Sequence, residues 1–149
     1  MRLELTLRGD YAVRAALAVA LLDGDGPVPA RRIAERMAIP VRFLGHVLAD
    51  LVRAGIVVGT PGRNGGYRLA EAAGEIDLLR VVDAVEERGD PARPEAARCV
   101  LRGGACREDG HCAVHEAFFA ASTAMRRELH ARNLADLVAD GLRGERGGW

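Results

Sequence analysis

Apolar residues recur at helical spacing near the start of the chain. Between Gly9 and Leu22, Val13, Leu17 and Leu21 fall on one side, and Ala16, Val19 and Ala20 widen that stripe. An apolar surface broader than one stripe predicts a helix covered on two sides. Asp23-Gly24-Asp25-Gly26-Pro27 ends it. A shorter helix is predicted over Ala30 to Met37, with Ile33 and Met37 inward, before a break at Ala38-Ile39-Pro40. A third follows over "VRFLGHVLADLVRAG", with Phe43, Leu44, Val47, Leu48 and Leu51 inward and Gly55 as its stop. Two short helices joined by a tight break are the layout of a helix-turn-helix.

The pattern then changes period. Ile56, Val57 and Val58 are β-formers, as are Tyr67 and Leu69, and the glycines and prolines between them surround Arg63 and Asn64. That predicts a hairpin, placed as a wing behind the helix-turn-helix. Glu75 to Glu87 reads as an amphipathic helix, with Ile76, Leu79, Val82, Ala84 and Val85 apolar, broken by Gly89 to Pro94. From about Cys112 to Arg132 a long helix carries Val114, Phe118, Ala121, Met125 and Leu129 on one stripe. Such a stripe in a small chain predicts burial against a second copy, that is, a homodimer; packing on the first helix is the alternative. Asn133 caps a short helix, "LADLVAD", and the tail is expected to be flexible.

The expected fold is therefore mainly α with a small β-hairpin wing. A winged helix-turn-helix domain occupies 1–70, and a connecting helix and linker 71–98. A cysteine-rich loop covers 99–115, the dimerisation helix and short last helix 112–142, and the tail 143–149. With 49% apolar residues the chain can fill a core, although aromatics at 4% leave that task to aliphatic side chains. Arg2 and Arg8 before an apolar run outline a secretory signal, but Asp10 and Arg14 interrupt it, so a cytoplasmic protein is expected.

Charge changes the picture more than composition does. The net charge is +0, yet residues 1–70 carry 10 arginines against 6 acids, and residues 71–149 carry 11 against 15. From Arg31 to Arg68 there are 7 arginines (31, 32, 36, 42, 53, 63 and 68) and 2 acids. A phosphate backbone attracts such a patch without regard to sequence, so double-stranded DNA is the expected partner. Arg31 and Arg32 lie within the patch. Val41, Arg42, Gly45 and His46 occupy the outer face at the start of the third helix. Arg42 can pair with guanine O6/N7, and His46 can meet a base or a phosphate. Arg63 and Asn64 at the wing tip can enter a minor groove or contact phosphates. An enzyme is not expected: there is no phosphate-binding glycine loop, Ser122 is the only serine, and no carboxylates pair in an evident pocket.

All three cysteines fall within "CVLRGGACREDGHC", spaced Cys99-x6-Cys106-x5-Cys112, with His115 following as x2-His. In a reducing compartment such thiols suggest a metal site rather than disulfides. Cys112 and His115, three apart at a helix start, share a face. Thiolates suit zinc or iron–sulfur clusters. The tight cysteine pairs usual for structural zinc are absent, and wide gaps favour a cluster without excluding zinc or free thiols.

With "MRL", "GDYAVRAAL", "IAERMAIPVRFLGHVLADLVRAGIV", the wing "GRNGGYRLA" and the cysteine stretch in place, the chain over residues 1–140 resembles the IscR/NsrR-type bacterial winged-helix iron–sulfur transcriptional regulators. The resemblance implies a homodimer on a palindromic operator and a [2Fe-2S] or [4Fe-4S] cluster held by Cys99, Cys106 and Cys112; separately, no run approaches the length of a membrane span, so no membrane association is expected. It implies a regulator, expected to be a repressor, whose operator affinity follows a redox-, nitric-oxide- or iron-sensitive cluster. The first cysteine gap is one residue longer than the family's common form. Two fourth ligands are implied by two branches of the family: His115, or Asp10 from the partner subunit. His111 is a third candidate. A same-fold regulator using zinc or bare thiols, and an electron carrier or cluster scaffold, are the alternatives.

Overall fold

The computed structural model describes residues 4–22, 24, 26–86 and 113–143. In chain order the elements are α1 (Leu7–Leu22), α2 (Ala30–Met37), α3 (Val41–Arg53), β1 (Val57–Thr60), β2 (Gly66–Leu69), a single 3₁₀ turn (Ala73–Glu75), α4 (Leu78–Asp83), α5 (Ala113–His130) and α6 (Leu134–Arg143). The expected class, a mainly helical winged helix-turn-helix, is the one observed.

Helix α1 is the centre of the molecule. Residues Ala15 to Val19 are all buried. At 3.6 residues per turn, consecutive positions sweep the whole circumference, so this stretch has no solvent face. α2, α3, α4 and α6 pack around it. The helix begins before the expected Gly9, because Thr6 caps it. The Thr6 hydroxyl accepts the Gly9 N–H at 3.0 Å and donates to Glu86 at 2.7 Å. Leu7 and Arg8 are exposed, so the apolar pattern carries no sign of them.

α2 and the break after it fall where the periodicity places them. Ala38 adopts a left-handed conformation (φ 51°), and Ile39 N–H bonds back to the Ala34 carbonyl at 3.0 Å. This closure turns the chain sharply. Ile39 is buried, and Pro40 occupies the N-cap of α3. Leu44, Val47, Leu48 and Leu51 then face the core. Phe43 does not. It is 37% exposed, because the stripe defined by those four residues leaves position 43 at its edge, where its ring meets Tyr11 of α1.

The wing is an antiparallel pair, Val57 opposite Leu69 and Thr60 opposite Gly66. Val28 bridges the other edge of β2 through two 2.8 Å bonds with Tyr67, tying the wing to the entry of α2. Two glycines are required there. A Cβ on Gly65 would lie 2.1 Å from the Thr60 carbonyl oxygen, and one on Gly66 2.4 Å from that of Val28.

The helix expected over 75–87 is shorter. The 3₁₀ turn is followed by extended Ile76, and Asp77 caps α4 by accepting the Arg80 N–H at 2.9 Å. Ile76 is extended because it pairs with the start of the last helix. Leu78 N–H bonds to the Arg132 carbonyl at 2.8 Å, and Leu134 N–H to the Ile76 carbonyl at 3.0 Å. Asn133 caps α6 as predicted, accepting the Asp136 N–H at 2.9 Å. α6 runs on to Arg143, past the Asp140 at which the expected short helix ends. Residues 144–149 lie outside the described residues. The core gathers Leu17, Ile33, Leu44, Leu48, Ile76 and Leu134, and so draws on both ends of the chain.

Two carboxylates are buried among the described residues, the α4 cap Asp77 and, more deeply, Asp50 of α3. Asp50, 3% exposed, receives Arg8 Nε at 3.0 Å, a second bond from the Arg8 guanidinium, and Arg53 Nη1 at 2.8 Å. Burial pushes the Asp50 carboxyl up, but the hydrogen bonds and charges of Arg8 and Arg53 outweigh it and hold it below its ordinary value. A carboxyl depressed by folding stabilises fully above the ordinary carboxylate range and loses that contribution as pH falls through its folded value. Asp50→Asn is therefore expected to lower unfolding stability at neutral pH by about 1–3 kcal/mol. In denaturant titrations the gap to wild type should narrow on acidification; a gap that stays constant into the acid range would count against this role.

Candidate nucleic-acid interface

Helix α3 presents Val41, Arg42, Gly45 and His46 to solvent at its N-terminal half, as the periodicity predicts. The wing tip carries Arg63 and Asn64, both exposed. Of the seven arginines in the basic segment, two are committed locally. Arg31 is paired with Glu35 at 2.8 Å, and Arg53 with Asp50. Arg32, Arg36, Arg42, Arg63 and Arg68 are exposed and make no ion pair with the described residues. Their charge is available to a polyanion, whereas Arg31 would have to share Glu35. Among the six residues the sequence marks for DNA, Arg32, Arg42 and Arg63 are thus the unpaired cations.

The start of α3 is fixed by contacts the sequence does not announce. Arg42 Cζ lies 4.7 Å from the centroid of the Phe43 ring, and the Phe43 and Tyr11 centroids are 5.9 Å apart at 30°. Arg14 Cζ lies 5.9 Å from the Tyr11 ring. Arg14 also donates to the Met37 carbonyl at 3.3 Å, a cation on the C-terminus of α2. A recess of about 410 Å³ opens beside this stack, lined by Leu7, Arg8, Tyr11, Phe43, His46 and Val47. Tyr11 and Phe43 are two of very few aromatics in the chain, and that scarcity is the one available hint.

Two candidate metal ligands are among the described residues. His115 is in the first turn of α5, half-buried, its ring parallel to that of Phe119 with centroids 6.4 Å apart. Both oxygens of Asp10 accept from Arg14, Oδ1 from Nε at 2.9 Å. Cys99, Cys106, His111 and Cys112 lie outside the described residues. Within the described residues no group of three His, Cys, Asp or Glu side chains could hold a metal ion. α5 packs against α4, where Arg126 grips Asp83 with bonds of 3.1 and 2.8 Å, and leaves Val114, Phe118 and Phe119 exposed. No helix among the described residues is long and apolar enough to cross a membrane.

A helix-turn-helix with an attached wing and an uncompensated arginine surface defines a winged-helix DNA-binding regulator. Comparison with known proteins narrows this. The Rrf2 family, described as an iron-dependent transcriptional regulator, matches residues 5–140. The HTH-type transcriptional regulator IscR of Photobacterium profundum is 37% identical over 138 residues, 93% of this chain and 77% of that protein. Protein rrf2 of Nitratidesulfovibrio vulgaris is 33% identical over 138 residues, 93% of this chain and 89% of that protein. Among solved structures, T. potens IscR superposes with a TM-score of 0.77 at 24% identity, covering 97% of this chain and 93% of that one. CymR, the global cysteine regulator of B. subtilis, gives 0.74 at 22% identity, covering 93% and 98%. The chain belongs to the Rrf2 family and is an IscR-like transcriptional regulator, not an enzyme.

The free arginine surface makes a quantitative prediction. Binding to duplex DNA should fall steeply with salt, and Arg63→Ala should reduce the magnitude of the log–log salt slope by about 1 for each phosphate left without its arginine. Titrations of one duplex at several salt concentrations read this directly. An unchanged slope would remove Arg63 from the phosphate-binding surface.

Proposed function

We propose that the chain is a cytoplasmic homodimer, a repressor whose affinity for a palindromic operator is set by an iron–sulfur cluster. Cys99, Cys106 and Cys112 supply three thiolates, and His115 the fourth ligand. The observation that carries this reading is the donor set: three thiols within 14 residues, followed by an imidazole in the first turn of α5. Soft thiolates with one nitrogen ligand suit an iron–sulfur cluster, and the family's description as iron-dependent favours iron over zinc. When bound, the group supplies an iron centre that redox change, nitric oxide or iron shortage can alter. [2Fe-2S] is the favoured type and [4Fe-4S] the alternative.

His115 fits better than Asp10. It follows Cys112 by three residues in the sequence and stands in the first turn of α5. Asp10 already gives both oxygens to Arg14, so ligation by the partner subunit's Asp10 would have to displace that ion pair. The exposed Val114 and Phe118 support burial of α5 against a second copy. Two copies then present two α3 helices to the half-sites of a palindrome, with Arg42 and His46 toward base edges and Arg32, Arg63 and Asn64 toward the backbone and minor groove.

Anaerobically purified protein is expected to absorb visible light and to contain iron and acid-labile sulfide. Cys99→Ala, Cys106→Ala and Cys112→Ala should each abolish the colour; a colourless protein with stoichiometric zinc would contradict the assignment. His115→Ala should alter the spectrum and hasten cluster loss more than Asp10→Ala does. If Asp10→Ala alone perturbs the spectrum, the fourth ligand is the carboxylate.

A further inference from the structure

Arg42 and Phe43 are consecutive on α3, and side chains one residue apart on a helix diverge by more than a quarter turn. The Arg42 guanidinium nevertheless lies over the Phe43 ring. No carboxylate of the described residues draws it there, since Arg42 makes no ion pair with them. The ring face is the group that holds it, through the attraction between a cation and the negative face of an aromatic ring.

Phe43 is itself held. Tyr11 of α1 packs on it at 5.9 Å, and Arg14 covers Tyr11 while gripping Asp10 and the Met37 carbonyl. The order Arg42, Phe43, Tyr11, Arg14 thus runs from the exposed start of α3 to the buried central helix. An aliphatic residue at position 43 could fill the same edge of the stripe but has no ring face to offer. An arginine that meets a base edge gives up much rotamer freedom, and a side chain already confined gives up less.

Resting on the reading of α3 as the base-contacting helix, we propose that Phe43 is a positioning residue. Braced by Tyr11, it holds Arg42 in the pose from which Arg42 distinguishes one base in each half-site. Phe43 acts through Arg42; it is a determinant of sequence preference that touches no base itself.

The test uses a duplex selected by the wild-type protein from a randomised pool, with every single-base variant of it. Titrations compare wild type, Arg42→Ala, Phe43→Leu, Phe43→Tyr and the double variant Arg42→Ala/Phe43→Leu. Phe43→Leu should weaken binding about two- to fivefold per half-site. The loss should appear only at the base position that Arg42→Ala relaxes. Phe43→Tyr, which keeps the ring, should restore the preference, and the double variant should bind as Arg42→Ala alone does. If Phe43→Leu does not fold, as read from its thermal transition, Tyr11→Leu removes the brace from the α1 side and should give the same position-specific loss. Uniform weakening on all duplexes, or a loss that adds in full to that of Arg42→Ala, overturns the positioning role. If Arg42→Ala relaxes one position and Phe43→Leu leaves it intact, the positioning role alone falls. If Arg42→Ala leaves every preference intact, the base-reading assignment of α3 falls and takes the proposal with it.

Discussion

The fold depends on one helix that must be buried on every side. Four helices and strand β2 pack on α1, and they can approach it because most residues at its centre are small. Ala12, Ala15, Ala16 and Ala18 have no exposed surface at all. Each alanine gives up little side-chain entropy and favours the helix, so the central strut forms readily and leaves room for its neighbours. The larger residues that fill the core, such as Ile33, Leu44, Leu48, Ile76 and Leu134, come from the surrounding elements. Enlarging one of those alanines would push apart helices that have nowhere to go; overpacking of this kind typically costs about 1–3 kcal/mol.

Besides the apolar packing of α2 and α3 on that centre, polar and aromatic contacts hold the DNA-binding face. The N-terminal half of α1 reaches α3 through Arg8 to Asp50 and through Tyr11 to Phe43, and reaches α2 through Arg14 to the Met37 carbonyl. The start of α1 is also bonded through Thr6 to Glu86, which follows α4. The same helix thus contacts both helices of the helix-turn-helix and Glu86 after α4.

Much of this is legible in the residues, and the failures share a cause. The bounds of α2, the break at Ala38 to Pro40 and the hairpin are local: periodicity, a proline and a glycine-rich tip settle them within a few residues. The shortening of α4 is not local. Asp77 pairs with Asn133 across more than fifty residues, and no periodicity near Ile76 signals that. Phe43 reads as inward because it is apolar and next to the stripe, while Tyr11, its actual partner, lies on another helix. For the site, thiol count and spacing name the candidate ligands, and the structure adds that Asp10 is already occupied by Arg14. Which arginines are free and which are paired depends on the side-chain poses of neighbours such as Glu35 and Asp50, which no linear pattern encodes.

In the proposed regulator, the state of a thiol-bound cluster sets operator affinity. This is tested most directly by following visible absorption and DNA binding together in one anaerobic sample while the cluster is removed stepwise with a chelator. The fraction of duplex bound should change in proportion to the absorbance removed, and a variant lacking all three cysteines should bind with the affinity of the fully stripped protein throughout. Binding that stays constant while the absorbance disappears would contradict this dependence.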